Sequence, residues 1–267
     1  MRKRRRTYES AFDKIKLFVL DMDGTFYLGE NRIDGALEFV ERARETGRKI
    51  VFFTNNSSKN GAMYVEKLNR MGCRVTDEDI MTSGDVTVEY LKTNYPGRKV
   101  YLAGTPALEE LFREAGICLT KDMPDVVVVG FDMTLTYEKL ERVCTYIRQG
   151  AVFLATHKDI NCPTENGFIP DCGAMCAAIT LSTGVQPKYL GKPCGETVDM
   201  VLTRTGYKKE EIAFVGDRLY TDVATGVNNG AAGLLVLSGE TKIEDIEKSD
   251  VKPDGVFDSL KAMIDYL

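Results

Sequence analysis

Four consecutive apolar residues, Leu17–Leu20, run straight into Asp21-Met22-Asp23-Gly24-Thr25. A short apolar run of this kind reads as a strand buried on both faces, as found in the middle of a parallel α/β sheet. Two carboxylates two residues apart at its end resist joint ionisation unless a positive charge offsets them. A bound Mg²⁺, a hard cation that takes oxygen ligands, supplies such a charge. Gly24 lets the backbone leave the strand sharply. The strand tip is therefore the first candidate site, and the fold has to present it.

The pattern recurs downstream. Asp34 precedes an amphipathic stretch over 35–43 with Gly47 beyond it, which predicts a capped helix. Lys49–Phe53 predicts a second buried strand, ending in Thr54-Asn55-Asn56-Ser57-Ser58 and followed by a helix over 60–71. From about Met81 the spacing predicts helices over 85–91, 106–115, 136–148 and 173–182. Strands are expected over 99–103, 125–129 and 151–155, with a long polar loop over 156–170. The first pattern then returns. A strand over 188–190 ends in Gly191-Lys192-Pro193, and a strand over 211–215 ends in Gly216-Asp217-Arg218-Leu219-Tyr220-Thr221-Asp222. Helices over 196–204 and 222–228, a strand over 233–237 and a closing helix over 259–266 complete the chain.

The expected architecture is α/β, with a doubly wound parallel sheet formed by residues 1–81 and 188–267. An α/β cap is expected over 82–187. One helix and one strand use up the stretch between Asp21 and Thr54, so the insertion has to lie between Thr54 and Lys192. At 267 residues and 43% apolar composition the chain can bury a substantial core. Its net charge of −5 argues against nucleic acid as a partner. No apolar run approaches the roughly 20 residues of a membrane span. The basic run Arg2–Arg6 is followed by no apolar segment and reads as a solvated tail, not a signal peptide. Seven scattered cysteines without a C-x-x-C read as the reduced thiols of a cytoplasmic protein.

Asp21/Asp23, Thr54/Asn55, Lys192 and Asp217/Asp222 thus stand at strand ends, where ligands bind in open parallel sheets. Together they supply the parts of phosphoryl transfer: an anionic metal site, one cation and hydrogen-bond donors. Asp21 suits a nucleophile that attacks phosphorus. Asp23 can protonate the leaving oxygen and later activate water. Asp217 completes the Mg²⁺ coordination with Asp222 holding a metal-bound water, Lys192 offsets charge, and Thr54 donates its hydroxyl to a phosphate oxygen. Each fragment alone has a plainer reading, as a turn for D-x-D-G and G-K-P or as a capped helix start for G-D-x-x-x-x-D. Their joint order at strand ends is what argues for a site.

DMDGTFYLG, TNNSSK, YLGKP and VGDRLYTD resemble the four motifs of haloacid dehalogenase-like phosphatases. More narrowly they resemble the class IIA, NagD-like branch of nitrophenylphosphatases, phosphoglycolate phosphatases and pyridoxal phosphatases. The resemblance extends from Lys16 to about Leu237. It implies a Rossmann-like core with a type-two cap, and Mg²⁺-dependent hydrolysis of phosphomonoesters of small metabolites through an aspartyl phosphate. Asp21 is then nucleophile and metal ligand, and Asp23 is general acid/base and lends its backbone carbonyl to the metal. Thr54 and Asn55 hold the phosphoryl group, Lys192 stabilises it, and Asp217 ligates the metal with Asp222 in support. Gly24 and Asn56, in the same motifs, are expected beside the substrate.

Substrate choice is expected in the cap, at the loop Ala155–Cys162, which makes His157, Asp159 and Asn161 candidate substrate contacts. Relatives commonly read A-T-N-P-D there, whereas this chain reads A-T-H-K-D. His157 is the only histidine, and it reads equally as a surface residue or as a substrate contact. The same core also suits a phosphotransferase or mutase that passes the phosphoryl group to a sugar hydroxyl. A non-catalytic phosphate-binding protein is the third reading, and intact Asp21, Asp23, Lys192 and Asp217 argue against it. An apolar strip on a cap helix would serve internal packing or a homodimer alike.

Overall fold

A computed structural model describes residues 12–164 and 167–267, so the basic run Arg2–Arg6 lies outside the described residues. The chain divides into two compact units. The first comprises residues 12–53, Val65–Met81 and Thr197–Leu267. The second comprises Thr54–Tyr64 and Thr82–Glu196.

The first unit is built on a six-stranded sheet. Its order is Gly255–Phe257, Ala232–Val236, Ile212–Gly216, Leu17–Leu20, Lys49–Thr54 and Ile80–Thr82. Leu17–Leu20 runs parallel to both neighbours, with Leu20 opposite Val215 on one side and Phe52 on the other. All four of its side chains are buried, as a strand covered on both faces requires. The helix Ala36–Glu45 buries Ala36, Phe39, Val40 and Ala43, the spacing of a single apolar face. Phe39 meets Phe18 edge-on with ring centroids 5.3 Å apart, which seats the helix on the sheet.

Three expectations are corrected in this unit. The helix is preceded by Gly35 in the left-handed region, and Asp34 does not cap it but pairs with Lys261 at 2.7 Å. The expected helix over 222–228 begins earlier, as a π-helical turn, Leu219–Val223, that runs into the short helix Ala224–Val227. Ile80–Thr82 and Gly255–Phe257 are additional strands, each only three residues long and so without a readable period.

The second unit holds a four-stranded parallel sheet in the order Lys188–Tyr189, Val152–Ala155, Val126–Val129 and Val100–Ala103. The helices Ser83–Asn94, Pro106–Glu114, Tyr137–Arg148 and Cys172–Thr183 start on Thr82, Thr105, Thr136 and Asp171. Each of those side chains accepts a backbone amide of its helix's first turn, a cap contributing about 1 kcal/mol. Val127, Val129, Phe131, Val143, Phe153 and Ile179 form its core.

Here too the structure departs from expectation. The polar stretch 156–170 is not all loop: Asn161–Thr164 and Gly167–Pro170 form an antiparallel hairpin. Lys188–Tyr189 was expected in the first sheet, but it extends the second, pairing with Leu154 and Ala155. The segment Thr54–Tyr64 also packs with the second unit. The reason is polar. Ser57 Oγ accepts from Phe131 N at 2.9 Å and bonds the Thr156 hydroxyl at 2.9 Å, while the Thr105 hydroxyl donates to Ser58 O at 2.8 Å. These bonds are buried, where each broken one would strand a polar group at a cost of about 1–3 kcal/mol.

Candidate active site

In the first unit Asp21, Asp217 and Asp222 converge, each offering a carboxylate oxygen within 4.8 Å of the others. Asp21 follows Leu20, and its backbone amide donates to Val215 O at 2.8 Å, which fixes it at the strand tip. Asp217 follows the neighbouring strand, and the π-helical turn brings Asp222 back beside it. Asp217 and Asp222 are both 3% exposed. Asp217 Oδ2 accepts from Glu240 N at 2.7 Å, but its buried Oδ1 has no hydrogen-bond partner. Burial, and then the neighbouring Asp222, push the Asp217 carboxyl up to about 7, against the pull of the Glu240 amide and Arg218.

An oxygen-only cluster with two buried members, Asp217 and Asp222, and an unsatisfied carboxylate oxygen fits a hard divalent cation, which supplies both the missing charge and the missing partner. The surroundings are cut to this cluster. Gly24 has φ +84°, and a Cβ there would stand 2.5 Å from Asp217 Oδ2; a Cβ on Gly239 would stand 2.0 Å from the same oxygen. Gly24→Ala is therefore expected to weaken binding of a divalent cation by about tenfold or more, read by calorimetric titration, since the carboxylate has to move. An unchanged affinity would show that Asp217 does not need that space. Asp23 is exposed and its carboxylate is not part of the cluster, so any metal contact it makes runs through its backbone carbonyl.

In the second unit the residues expected to handle phosphate are tied to one another. Lys192 is 3% exposed. Asn55 clasps its backbone on both sides: Lys192 N donates to Asn55 Oδ1 at 2.8 Å, and Asn55 Nδ2 donates to Lys192 O at 3.1 Å. The second Nδ2 hydrogen goes to Asp159 Oδ2 at 3.1 Å. Both amide hydrogens are thus spent inside the chain, and the expected side-chain grip of Asn55 on a phosphoryl group gives way to a grip on Lys192. Asn56 is held through its oxygen instead, Oδ1 accepting from Ser58 N at 2.9 Å and from the Ser58 hydroxyl at 2.7 Å. Thr54 Oγ1 accepts from Asn56 N at 3.1 Å, which leaves its own hydrogen to donate.

His157 is neither of the things its loop position predicts. It is 0% exposed, with Nδ1 3.5 Å from Asp159 Oδ2 and Nε2 3.5 Å from Asp171 Oδ1. A ring closed off from solvent and flanked by two carboxylates is not a surface residue, and it has no exposed edge to offer a substrate. Asp159 is also buried, whereas Lys158 and Asn161 are exposed. The loop lies hard against the start of the helix Cys172–Thr183. Gly173 N donates to Asp159 O at 2.8 Å, and a Cβ on Gly173 would stand 2.2 Å from Lys158 O. Gly173→Ala is expected to cost about 1–3 kcal/mol, the usual range for overpacking, measured as a lower denaturant midpoint. An unshifted midpoint would show that the loop retreats freely.

Sequence reasoning missed Asp171, Gly239 and the Glu240 amide. Asp171 carried a readable signal, because Asp before an apolar helical stretch is a cap. Its second role beside His157 depends on a contact across the loop, which no spacing rule reports. Among the described residues, no helix is long and apolar enough to cross a membrane.

Residues 18–118 match the family described as haloacid dehalogenase-like hydrolase, and residues 189–263 match a related HAD-hydrolase-like family. A curated relative, the acid sugar phosphatase of Staphylococcus aureus strain MRSA252, is 37% identical over 252 residues, spanning 93% of this chain and 96% of its own. The crystal structure of a 4-nitrophenylphosphatase from Thermotoga maritima superimposes with a TM-score of 0.92 at 46% identity, covering 96% of this chain and 98% of its own. A glycerol phosphate phosphatase from Mycobacterium tuberculosis in complex with magnesium has a TM-score of 0.89 at 29% identity, covering 95% of this chain and 77% of its own.

Proposed function

Because the chain belongs to the haloacid dehalogenase-like hydrolases, we propose that it hydrolyses phosphomonoesters of small metabolites, with Mg²⁺, through an aspartyl phosphate on Asp21. It is a phosphatase of the NagD and nitrophenylphosphatase branch. The observation that carries the finer reading is the carboxylate cluster at the tip of Leu17–Leu20, with Asp217 Oδ1 unsatisfied.

In this reading Asp21 attacks phosphorus and the ester oxygen departs with a proton from Asp23. Asp23 then takes a proton from water, which attacks the phosphorus of the aspartyl phosphate and releases inorganic phosphate, restoring Asp21. Lys192 holds positive charge near the phosphoryl oxygens as charge shifts toward the leaving group, and the Thr54 hydroxyl donates to one of them. Asp21, Asp217, Asp222 and the Asp23 carbonyl would hold the Mg²⁺, which supplies charge that offsets the nucleophile and the phosphoryl oxygens.

Substrate choice is assigned to the second unit, at Asn161 and the hairpin that begins there, where Phe168 is 72% exposed. The relatives named for sugar, nitrophenyl and glycerol phosphate support an alcohol or phenol ester as substrate. The cysteines are free thiols, which supports a reducing, cytoplasmic setting. The test is release of phosphate from nitrophenyl phosphate, glycerol phosphate and hexose phosphates, with and without Mg²⁺. Metal-dependent release, ranked by kcat/KM, is expected. No release under any divalent cation would overturn the reading.

A further inference from the structure

His157 is a buried group with no part in this chemistry. Its two ring nitrogens face different carboxylates, Nδ1 toward Asp159 Oδ2 and Nε2 toward Asp171 Oδ1, each at 3.5 Å. A neutral imidazole has one N–H and one lone pair, so one of the two carboxylates would face a lone pair in a dry interior. Only the doubly protonated ring suits both. One ring nitrogen and one oxygen from each of Asp159 and Asp171 lie within 4.8 Å of one another, a spacing a metal ion could share, but the closest approaches are to opposite nitrogens, which is the arrangement of a shared imidazolium.

The titratable groups facing the ring are Asp159 on its own loop, and Asp171 and Cys172 at the start of the helix Cys172–Thr183. Burial disfavours the charge, but Cys172, Asp159 and Asp171 outweigh it and push the imidazole up to about 9. Asp171 is itself anchored, accepting from Cys172 N at 2.6 Å. Asp159 carries the connection onward. The oxygen that faces His157 Nδ1 is the same Oδ2 that accepts from Asn55 Nδ2, and Asn55 clasps Lys192 through its N–H and its carbonyl.

We propose that His157 is a positioning residue: as an imidazolium bridging Asp159 and Asp171, it holds the carboxylate that orients Asn55 and, through Asn55, the backbone of Lys192. The proposal deepens the phosphatase reading and rests on it for the role of Lys192. Removing the cation leaves two buried carboxylates facing a void, and the Asn55 clasp loses its fixed anchor. The loss should fall on kcat, where Lys192 meets developing charge, more than on KM.

Because this histidine is the only one in the chain, its Cε1–H resonance in untagged full-length protein reports its charge with no assignment problem. The expected signal is that of an imidazolium, constant from pH 6 to pH 8 and moving only near pH 9. Asp171→Asn should bring that midpoint down, since it removes one of the facing charges that favour the imidazolium. His157→Gln should lower kcat at pH 7 by about tenfold with KM changed less than about threefold, the scale of losing a partner that orients a working group. It should also abolish any alkaline fall in kcat near pH 9. A resonance that titrates near 6.5, one that moves on adding Mg²⁺ or Zn²⁺, or a folded His157→Gln with unchanged kcat would each overturn the proposal. If the wild type releases no phosphate from any ester, the phosphatase reading falls while the resonance still decides the bridge.

Discussion

Asp21→Asn is expected to lower kcat for nitrophenyl phosphate by roughly 10⁴-fold or more, the scale seen when an enzyme loses its nucleophile. An amide oxygen of the same size keeps the strand tip but cannot form the acyl phosphate. The fold should not suffer. Asp21 is only partly buried and stands within 4.8 Å of two other carboxylates, so removing its charge relieves repulsion. Acid quenching of a reacting wild type should trap phosphate on the protein, and the variant should trap none. A variant with near-wild-type rate and an unchanged burst of bound phosphate would end the covalent reading.

The second large effect is at Asp217, where activity and stability should move in opposite directions. Its carboxyl is raised from 3.8 to about 7 by burial and then by Asp222. Between about pH 4 and pH 7 the folded, metal-free chain therefore holds a proton that the unfolded chain has released. Stability falls as pH rises through that window, by up to about 4 kcal/mol if the whole shift is realised, and the penalty is fully present above pH 7. Asp217→Asn removes the penalty. It should raise the stability of the metal-free protein at pH 8 by a few kcal/mol, while cutting kcat/KM at saturating Mg²⁺ by roughly 10³-fold. Denaturant unfolding with chelator at pH 8 and at pH 5 checks the sign. A variant less stable than wild type at pH 8 would show that the buried charge is not the dominant cost.

The strand tips were legible because their chemistry and their period coincide. A run such as Leu17–Leu20 can only be buried, and acids at the end of such a strand require a reason. Asp21, Asp217 and Asp222 could be brought together from topology alone, since adjacent parallel strands place their ends side by side. What could not be read was partnership. Asn55 is a plausible phosphate donor until its amide is seen spent on Lys192 and Asp159. Lys188–Tyr189 carries too few residues to reveal which sheet it joins. His157 on a polar loop gives no sign of burial, because the groups that enclose it, Asp171 and Cys172, arrive from the next helix. Short strands, side-chain amides and folded-back loops take their roles from contacts distant in sequence, where neither period nor propensity speaks.

The central place of Leu17–Leu20 has a temporal side. This strand is made well before one of its two neighbours, Ile212–Gly216, which follows only after the whole second unit. Thr54–Tyr64 and Thr82–Glu196, which make up the second unit, are complete before Ile212–Gly216 is made, so the first sheet gains that side last. Such long-range pairing is slow to form. It also means that Asp21 is made long before the two acids that complete its cluster. A nascent or truncated chain that stops short of Ile212 carries Asp21 without Asp217 and Asp222, so the carboxylate cluster exists only once the later strand has been made.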